Sequence, residues 1–281
     1  MQTSMEKARV GVFDSGFGGL TVMRAICDLL PSEDIIYFGD TARLPYGNKT
    51  KTTIVRYSVE NARFLISQNI DVLVIACHTA SCLAKEELQK ILPIPVIDVI
   101  SPSVKLAISQ TKTKKIAVLG TYGTISSEVY QNELRKLCPE ITIFPVACPL
   151  FVPLVEEGFT HHKVTEIIAK EYLADLVHKE VDVTILACTH YPLLGEVIQK
   201  ILGEKMILID PAIPTAEKTR LVLEKRSSLS ALSPAYQFFV SDNPQKFRQI
   251  GSKFLGKTIN SVSLQNLDHQ ENDLKQPALV L

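Results

Sequence analysis

The sequence predicts an α/β chain made of two similar doubly wound parallel-sheet domains, with a site in the cleft between them. Three observations lead there. Short apolar runs alternate with helical patterns from Val10 to Leu255. Two segments are near-duplicates, Asp71-Val-Leu-Val-Ile-Ala-Cys77-His78-Thr79 and Asp182-Val-Thr-Ile-Leu-Ala-Cys188-Thr189-His190, with the cysteines 111 residues apart. The two series also begin alike, since Arg9-Val-Gly-Val-Phe-Asp-Ser-Gly16 resembles Lys115-Ile-Ala-Val-Leu-Gly-Thr-Tyr-Gly123.

In order, Val10–Phe13 is predicted as a strand, Gly16–Gly19 as the turn after it, and a helix from about Leu20 stopped by Pro31. Ile35–Phe38 is a strand, followed by a loop with Asp40, Arg43, Pro45, Tyr46 and Gly47 and a helical pattern to about Gln68. Val72–Ala76 is a strand, Thr79 to about Leu92 a helix, and Val96–Val99 a strand between Pro95 and Pro102. The second series has strands at Lys115–Leu119, Ile141–Val146, Val183–Ala187 and Lys205–Ile209. Its helices are expected at Ser126–Leu137, in the Pro149–Gly158 stretch, at Val164–His178 and from near Pro192. Beyond Pro214 come a helix, a strand at Tyr236–Val240, a helix near Pro244–Leu255 and a polar tail over the last twenty-odd residues. The prolines around Pro102 and Pro211 mark the crossovers, which gives residues 1–101 plus 212–281 as one domain and 102–211 as the other.

Bulk properties exclude several functions. The chain has 281 residues, 46% of them hydrophobic, and 30 basic against 30 acidic side chains. A net charge of zero offers no general attraction to nucleic acid or an anionic membrane. No apolar run approaches the ~18–20 residues of a membrane span, and Met1–Arg9 has no signal-peptide core, so a cytoplasmic location is expected. The six cysteines form no Cys-x-x-Cys pair, which argues against a zinc ribbon or thioredoxin-like motif. Cys27, Cys82, Cys138 and Cys148 read as structural thiols.

Cys77 and Cys188 differ. Each ends a β-branched run and is followed by polar residues, so each thiol is delivered at the carboxyl end of a buried strand, where open α/β sheets bind ligands. Two thiols at equivalent places suit proton removal from one face of a carbon and delivery to the other. Thr79 or Ser81 is placed to cap the helix after Cys77, and a helix amino end favours the thiolate by roughly 0.3–1 kcal/mol, lowering its pKa. Asp14 and His190 are candidates to relay protons. The Asp14-Ser15-Gly16-Phe17-Gly18-Gly19 turn offers bare amides to an anion but lacks a dinucleotide fingerprint. It suits a small zwitterion, with the carboxylate on the amides and the ammonium near Asp14, or else it is only a tight turn. The Asp40–Gly47 loop reads as structural as readily as functional. Glu156 either faces the site or is a solvated helix-end carboxylate.

At these residues the chain resembles the cofactor-independent glutamate racemases of the aspartate/glutamate racemase family. The resemblance rests on Phe13–Gly16 with Gly18–Thr21, Pro45-Tyr46-Gly47, Ala76-Cys77 with Thr79–Ser81, Gly120-Thr121, Cys148-Pro149 through Glu156 and Gly158, and Cys188–Leu193. It implies that Cys77 and Cys188 are the two acid/base catalysts, with Asp14 assisting Cys77 and His190 assisting Cys188. It further implies that Ser15, Tyr46, Gly47, Thr79, Thr121 and Thr189 hold the substrate, together with Asp14, His78, Glu156 and His190. The family uses no pyridoxal phosphate or metal, is usually dimeric, and makes D-glutamate for bacterial peptidoglycan. One departure stands out. The family has Asn directly after the first cysteine, and this chain has His78, which is bulkier and can carry charge. A cationic His78 would help to hold a carboxylate. The departure leaves three outcomes open: ordinary activity, a related racemase of other or broad specificity, or a weakly active or non-catalytic binding homologue.

Overall fold

The computed structural model describes residues 7–224 and 233–267. Every strand pairing in it is parallel, and the strands form two sheets. The first has β1 (Arg9–Asp14), β2 (Asp34–Gly39), β3 (Val72–Ile75), β4 (Val96–Asp98), β9 (Tyr236–Val240) and β10 (Ser263–Leu264), in the order β10-β9-β2-β1-β3-β4. The second has β5 (Lys115–Gly120), β6 (Thr142–Ala147), β7 (Val183–Ala187) and β8 (Ile207–Ile209), in the order β6-β5-β7-β8. The run β2-β1-β3-β4 therefore recurs as β6-β5-β7-β8. In both sheets the strand order reverses beside the first strand of its series, which opens a crevice at the carboxyl ends. Cys77 follows β3 and Cys188 follows β7, so the near-duplicate segments occupy equivalent places. The strands read as continuous apolar runs because helices cover both faces: Val72–Ile75 and Val183–Ala187 are fully buried.

The helices follow the sequence closely: α1 (Leu20–Leu29), α2 (Lys51–Ser67), α3 (His78–Ile91) and, after β4, α4 (Ile100–Gln110). The sequence reading missed α4 because it took Pro102 as punctuation. Pro102 is instead the third helical residue, where the backbone N–H has no intrahelical partner to lose. Pro153 in α7 (Phe151–Glu156) and Pro214 in α10 (Ala212–Leu223) occupy the same third position. The helix expected at Ser126–Leu137 is two, α5 (Tyr122–Ser126) and α6 (Val129–Leu137). Glu128 between them has left-handed backbone with φ 56°, and the Ser127 hydroxyl donates to Thr124 O at 2.7 Å, a local bond that competes with the helix ladder. The pattern expected at Val164–His178 divides into α8 (Lys163–Leu173) and a 3-10 turn, and the one from Pro192 begins as a 3-10 turn, Tyr191–Leu194, before α9 (Gly195–Leu202).

After β8 the chain returns to the first sheet. Helix α10 packs on α1, β9 pairs with β2, and α11 (Pro244–Leu255) packs on α1. Part of the expected polar tail is ordered pairing, since Ser263–Leu264 extend the sheet beside β9; residues 268–281 lie outside the described residues. Among the described residues no helix is long and apolar enough to cross a membrane.

Candidate active site

The carboxyl ends of the two sheets meet around one small, partly open space. It is lined by Ser15, Gly16, Leu44, Pro45, Cys77, His78 and Thr79 from the first sheet's loops, and by Thr121, Val152, Glu156, Cys188, Thr189 and His190 from the second's. Its free volume is about 40 Å³, room for roughly three water molecules. Cys77 and Cys188 are only 5% and 6% exposed, and both line this space.

Close approach between the two halves has a visible cause. A Cβ on Gly18 would stand 2.1 Å from Thr189 Oγ1 and 2.6 Å from His190 Nδ1, so only glycine lets the second half's Cys-Thr-His segment come in. Thr21 Oγ1 donates to Thr189 O at 3.4 Å on this side. On the other side Thr79 Oγ1 lies 3.1 Å from Thr121 Oγ1, and His78 Nδ1 lies 2.8 Å from the Tyr130 hydroxyl.

Three amides of the glycine-rich turn are already bonded within the protein. Gly16 N donates to Asp14 Oδ2 at 2.9 Å, and the Ser15 and Gly19 amides also bond the Asp14 carboxylate. These three amides are thus taken by Asp14 itself rather than offered to a substrate carboxylate. Asp14 is completely buried behind the cavity wall, its Oδ1 has no hydrogen-bond partner, and burial pushes its pKa up despite His190 and the amides.

Cys77 is the N-cap residue of α3. Neither expected cap forms: Ser81 Oγ donates to Ile75 O at 3.0 Å, and Thr79 turns to the threonines of the other half. The thiol lies 3.7 Å from Ser15 Oγ. Burial and the neighbouring Asp14 push Cys77 up to about 12, so desolvation overrides the expected lowering by the helix end. Cys188 is raised well above the ordinary thiol value, first by burial and then by a charge on Cys77, Asp14 or Glu156. Its sulfur is 3.9 Å from His190 Nδ1, and His190 Nε2 is 3.0 Å from Glu156 Oε1. Glu156 is therefore no solvated helix end; α7 brings it into the wall.

His78 is buried, and burial lowers its pKa to about 3, with Asp98 opposing. It is neutral at ordinary pH, which corrects the expectation of a cationic carboxylate ligand. Tyr46 does not line the space. Its hydroxyl donates to Asp40 and accepts from Asn61 Nδ2 at 3.1 Å. Arg43 joins this cluster through Asp40 at 2.8 Å, Asn61 Oδ1 at 3.1 Å and Glu60. The cluster fixes the loop that carries Leu44 and Pro45 into the wall, and it leaves Tyr46 and Gly47 only backbone to offer. Sequence reasoning did not point to Leu44, Val152 or Tyr130, which are ordinary apolar or aromatic residues until the fold places them. The other four cysteines lie outside the wall, and burial raises Cys82 and Cys148 to about 12. Among the described residues no three His, Cys, Asp or Glu side chains converge as a metal site requires.

Two strand-end thiols border one space from two similar halves, and the class that the fold and the chain's relatives define is isomerase. Residues 18–219 match the family Asp/Glu/Hydantoin racemase. The chain is 42% identical over 263 residues to the glutamate racemase of Syntrophus aciditrophicus (strain SB), covering 93% of this chain and 97% of that protein. It is 44% identical over 264 residues to the glutamate racemase of Geobacter metallireducens, covering 93% and 98%. The crystal structure of glutamate racemase from Francisella tularensis subsp. tularensis SCHU S4 in complex with D-glutamate superposes with a TM-score of 0.88 at 40% identity, covering 93% of this chain and 98% of that one. The chain belongs to the Asp/Glu/Hydantoin racemase family and is an isomerase.

Proposed function

We propose that this protein interconverts L- and D-glutamate by two-base proton transfer between Cys77 and Cys188. The observation that carries this reading is that both thiols, from equivalent strand ends, border the same small space. The thiolate of one cysteine removes the α-proton from one face, and the thiol of the other returns a proton to the opposite face. The high thiol pKa values make each thiolate a strong base once formed. Asp14, with a free carboxylate oxygen behind the wall beside Cys77, takes up the Cys77 proton. His190, braced by Glu156, does the same for Cys188. Ser15, His78, Thr79, Thr121 and Thr189, with the backbone of Tyr46 and Gly47, hold the carboxylates.

A glutamate is larger than about three waters, so turnover on this reading requires the halves to part and reclose. The two chain crossings, after β4 and after β8, are the natural hinges, close to the boundaries of the domains 1–101 plus 212–281 and 102–211; the first boundary falls in the first turn of α4. We assign the enzyme no cofactor or metal, a cytoplasmic location, a homodimeric state, and a role supplying D-glutamate for peptidoglycan.

The test is racemisation in deuterium oxide. Deuterium is expected at the α-carbon of the product, and racemisation without it sinks the two-base reading. A panel including aspartate separates glutamate from other substrates, since aspartate turnover at a comparable kcat/KM would mark a broad-specificity racemase.

A further inference from the structure

His78 is the first residue of α3, directly after Cys77, and it borders the substrate space. Its partner, Tyr130, comes from α6 in the other half and is fully buried. The rings stack with centroids 6.0 Å apart and planes 19° apart, and the Tyr130 hydroxyl lies 2.8 Å from His78 Nδ1.

A buried phenol has one proton to place on an acceptor. The Tyr130 hydroxyl also approaches Ser103, whose own hydroxyl donates to Val99 O at 2.5 Å. Of the two, only His78 Nδ1 is in hydrogen-bond geometry with the hydroxyl, at 2.8 Å, and a proton on Nδ1 would deny the phenol that acceptor, so Tyr130 is taken as the donor. A neutral imidazole carries one N–H and one bare nitrogen. With Nδ1 accepting, the N–H is on Nε2, the ring's other nitrogen, in a residue that lines the substrate space.

We propose that Tyr130 is a positioning residue that locks His78 as the Nε2–H tautomer, so that His78 presents an uncharged N–H to a substrate carboxylate. The inference rests on the racemase reading for its substrate and on this hydrogen bond for its mechanism. Burial keeps the ring neutral, with its pKa near 3. Neutrality matters at this position, because an imidazolium next to Cys77 would draw the thiol's pKa down and weaken it as a base.

The decisive measurement is the ¹⁵N spectrum of the full-length protein labelled at histidine, near neutral pH and without substrate. The His78 signal is assigned by its loss in His78→Asn. A protonated Nε2 with a bare Nδ1 is expected; a protonated Nδ1 overturns the proposal. Tyr130→Phe should leave a mixture of tautomers and raise KM for glutamate about tenfold, with kcat within about twofold. In a His78→Asn background the same Tyr130→Phe change should move KM less than about twofold, because an amide carries its donor without a tautomer to choose. Equal effects in both backgrounds mean that Tyr130 only packs, and they overturn the proposal. If Tyr130→Phe does not fold, the wild-type spectrum decides alone. Loss of the racemase reading would appear as absent turnover, whereas this proposal is read from the ligand-free tautomer.

Discussion

The two cysteine corners occupy the same topological place and are furnished differently. Cys77 caps a 14-residue α-helix, with Ser15 and the carboxylate of Asp14 behind it. Cys188 runs into a short 3-10 turn, and its support is an imidazole braced by Glu156. One corner thus stabilises a thiolate with helix amides while a carboxylate opposes it. The other has a base within reach that becomes a cation on accepting the proton. A duplicated strand end fixes where a thiol goes; the residues packed behind it decide how the thiol loses its proton.

If the corners are equivalent in geometry, both thiols must be indispensable. Cys77→Ser and Cys188→Ser are each expected to lower racemisation by at least about 10³-fold, while calorimetry still detects glutamate binding. A serine variant racemising near the wild-type rate would break the symmetry outright.

Asp14 sharpens the contrast because its two roles oppose each other. Its folded pKa is raised by burial, so its contribution to stability is fully present only below the ordinary aspartate value of 3.8 and is lost as pH rises through the folded pKa. Ionising this buried, partly unpartnered carboxylate therefore costs the fold stability. Asp14→Asn should lower kcat about 10²-fold and raise Tm by a few degrees. A fall in Tm would show that the carboxylate is structural.

Glu156→Gln probes the other corner more gently. It keeps an acceptor for His190 Nε2 but removes the charge, so a drop in kcat of about tenfold is expected. The exchange of α-hydrogen with solvent should slow more for one enantiomer than for the other. Equal slowing would mean that the two corners share one proton pool.

The contrast was only half legible in the sequence. The apolar runs ending at Cys77 and Cys188 announced buried parallel strands because the pattern and the two-faced burial have one cause. The sheet return at Tyr236–Val240 was visible for the same reason. Helix Ile100–Gln110 was hidden by Pro102, since a proline in a first turn looks the same in sequence as one in a loop. The direction of the thiol pKa values was misread because burial is set by tertiary packing, and it outweighs a helix-end effect of about 1 kcal/mol. Tyr130 carried no signal at all, because nothing in a lone helical tyrosine says what its hydroxyl will meet across a cleft.

The smallest effect concerns His78, the residue that sets the charge beside Cys77. Its folded pKa near 3 lies below the ordinary value of 6.5, so the folded protein refuses a proton that the unfolded chain accepts. The stability this neutral ring contributes is complete above about pH 6.5 and falls as pH drops toward the folded pKa, by up to about 1.4 kcal/mol per pH unit. Asp98, whose own pKa is held down despite its burial by Lys85 and Ser101, stays charged over most of that window and moderates the loss. His78→Asn has no such titration. Urea unfolding at pH 7 and pH 5 should show the wild type losing more stability than His78→Asn, by on the order of 1 to 2 kcal/mol. Identical losses in the two proteins would mean that the folded imidazole takes up its proton as readily as the unfolded one. Cys77 would then have a cation for a neighbour at mildly acidic pH, and the two corners would be closer in character than their surroundings suggest.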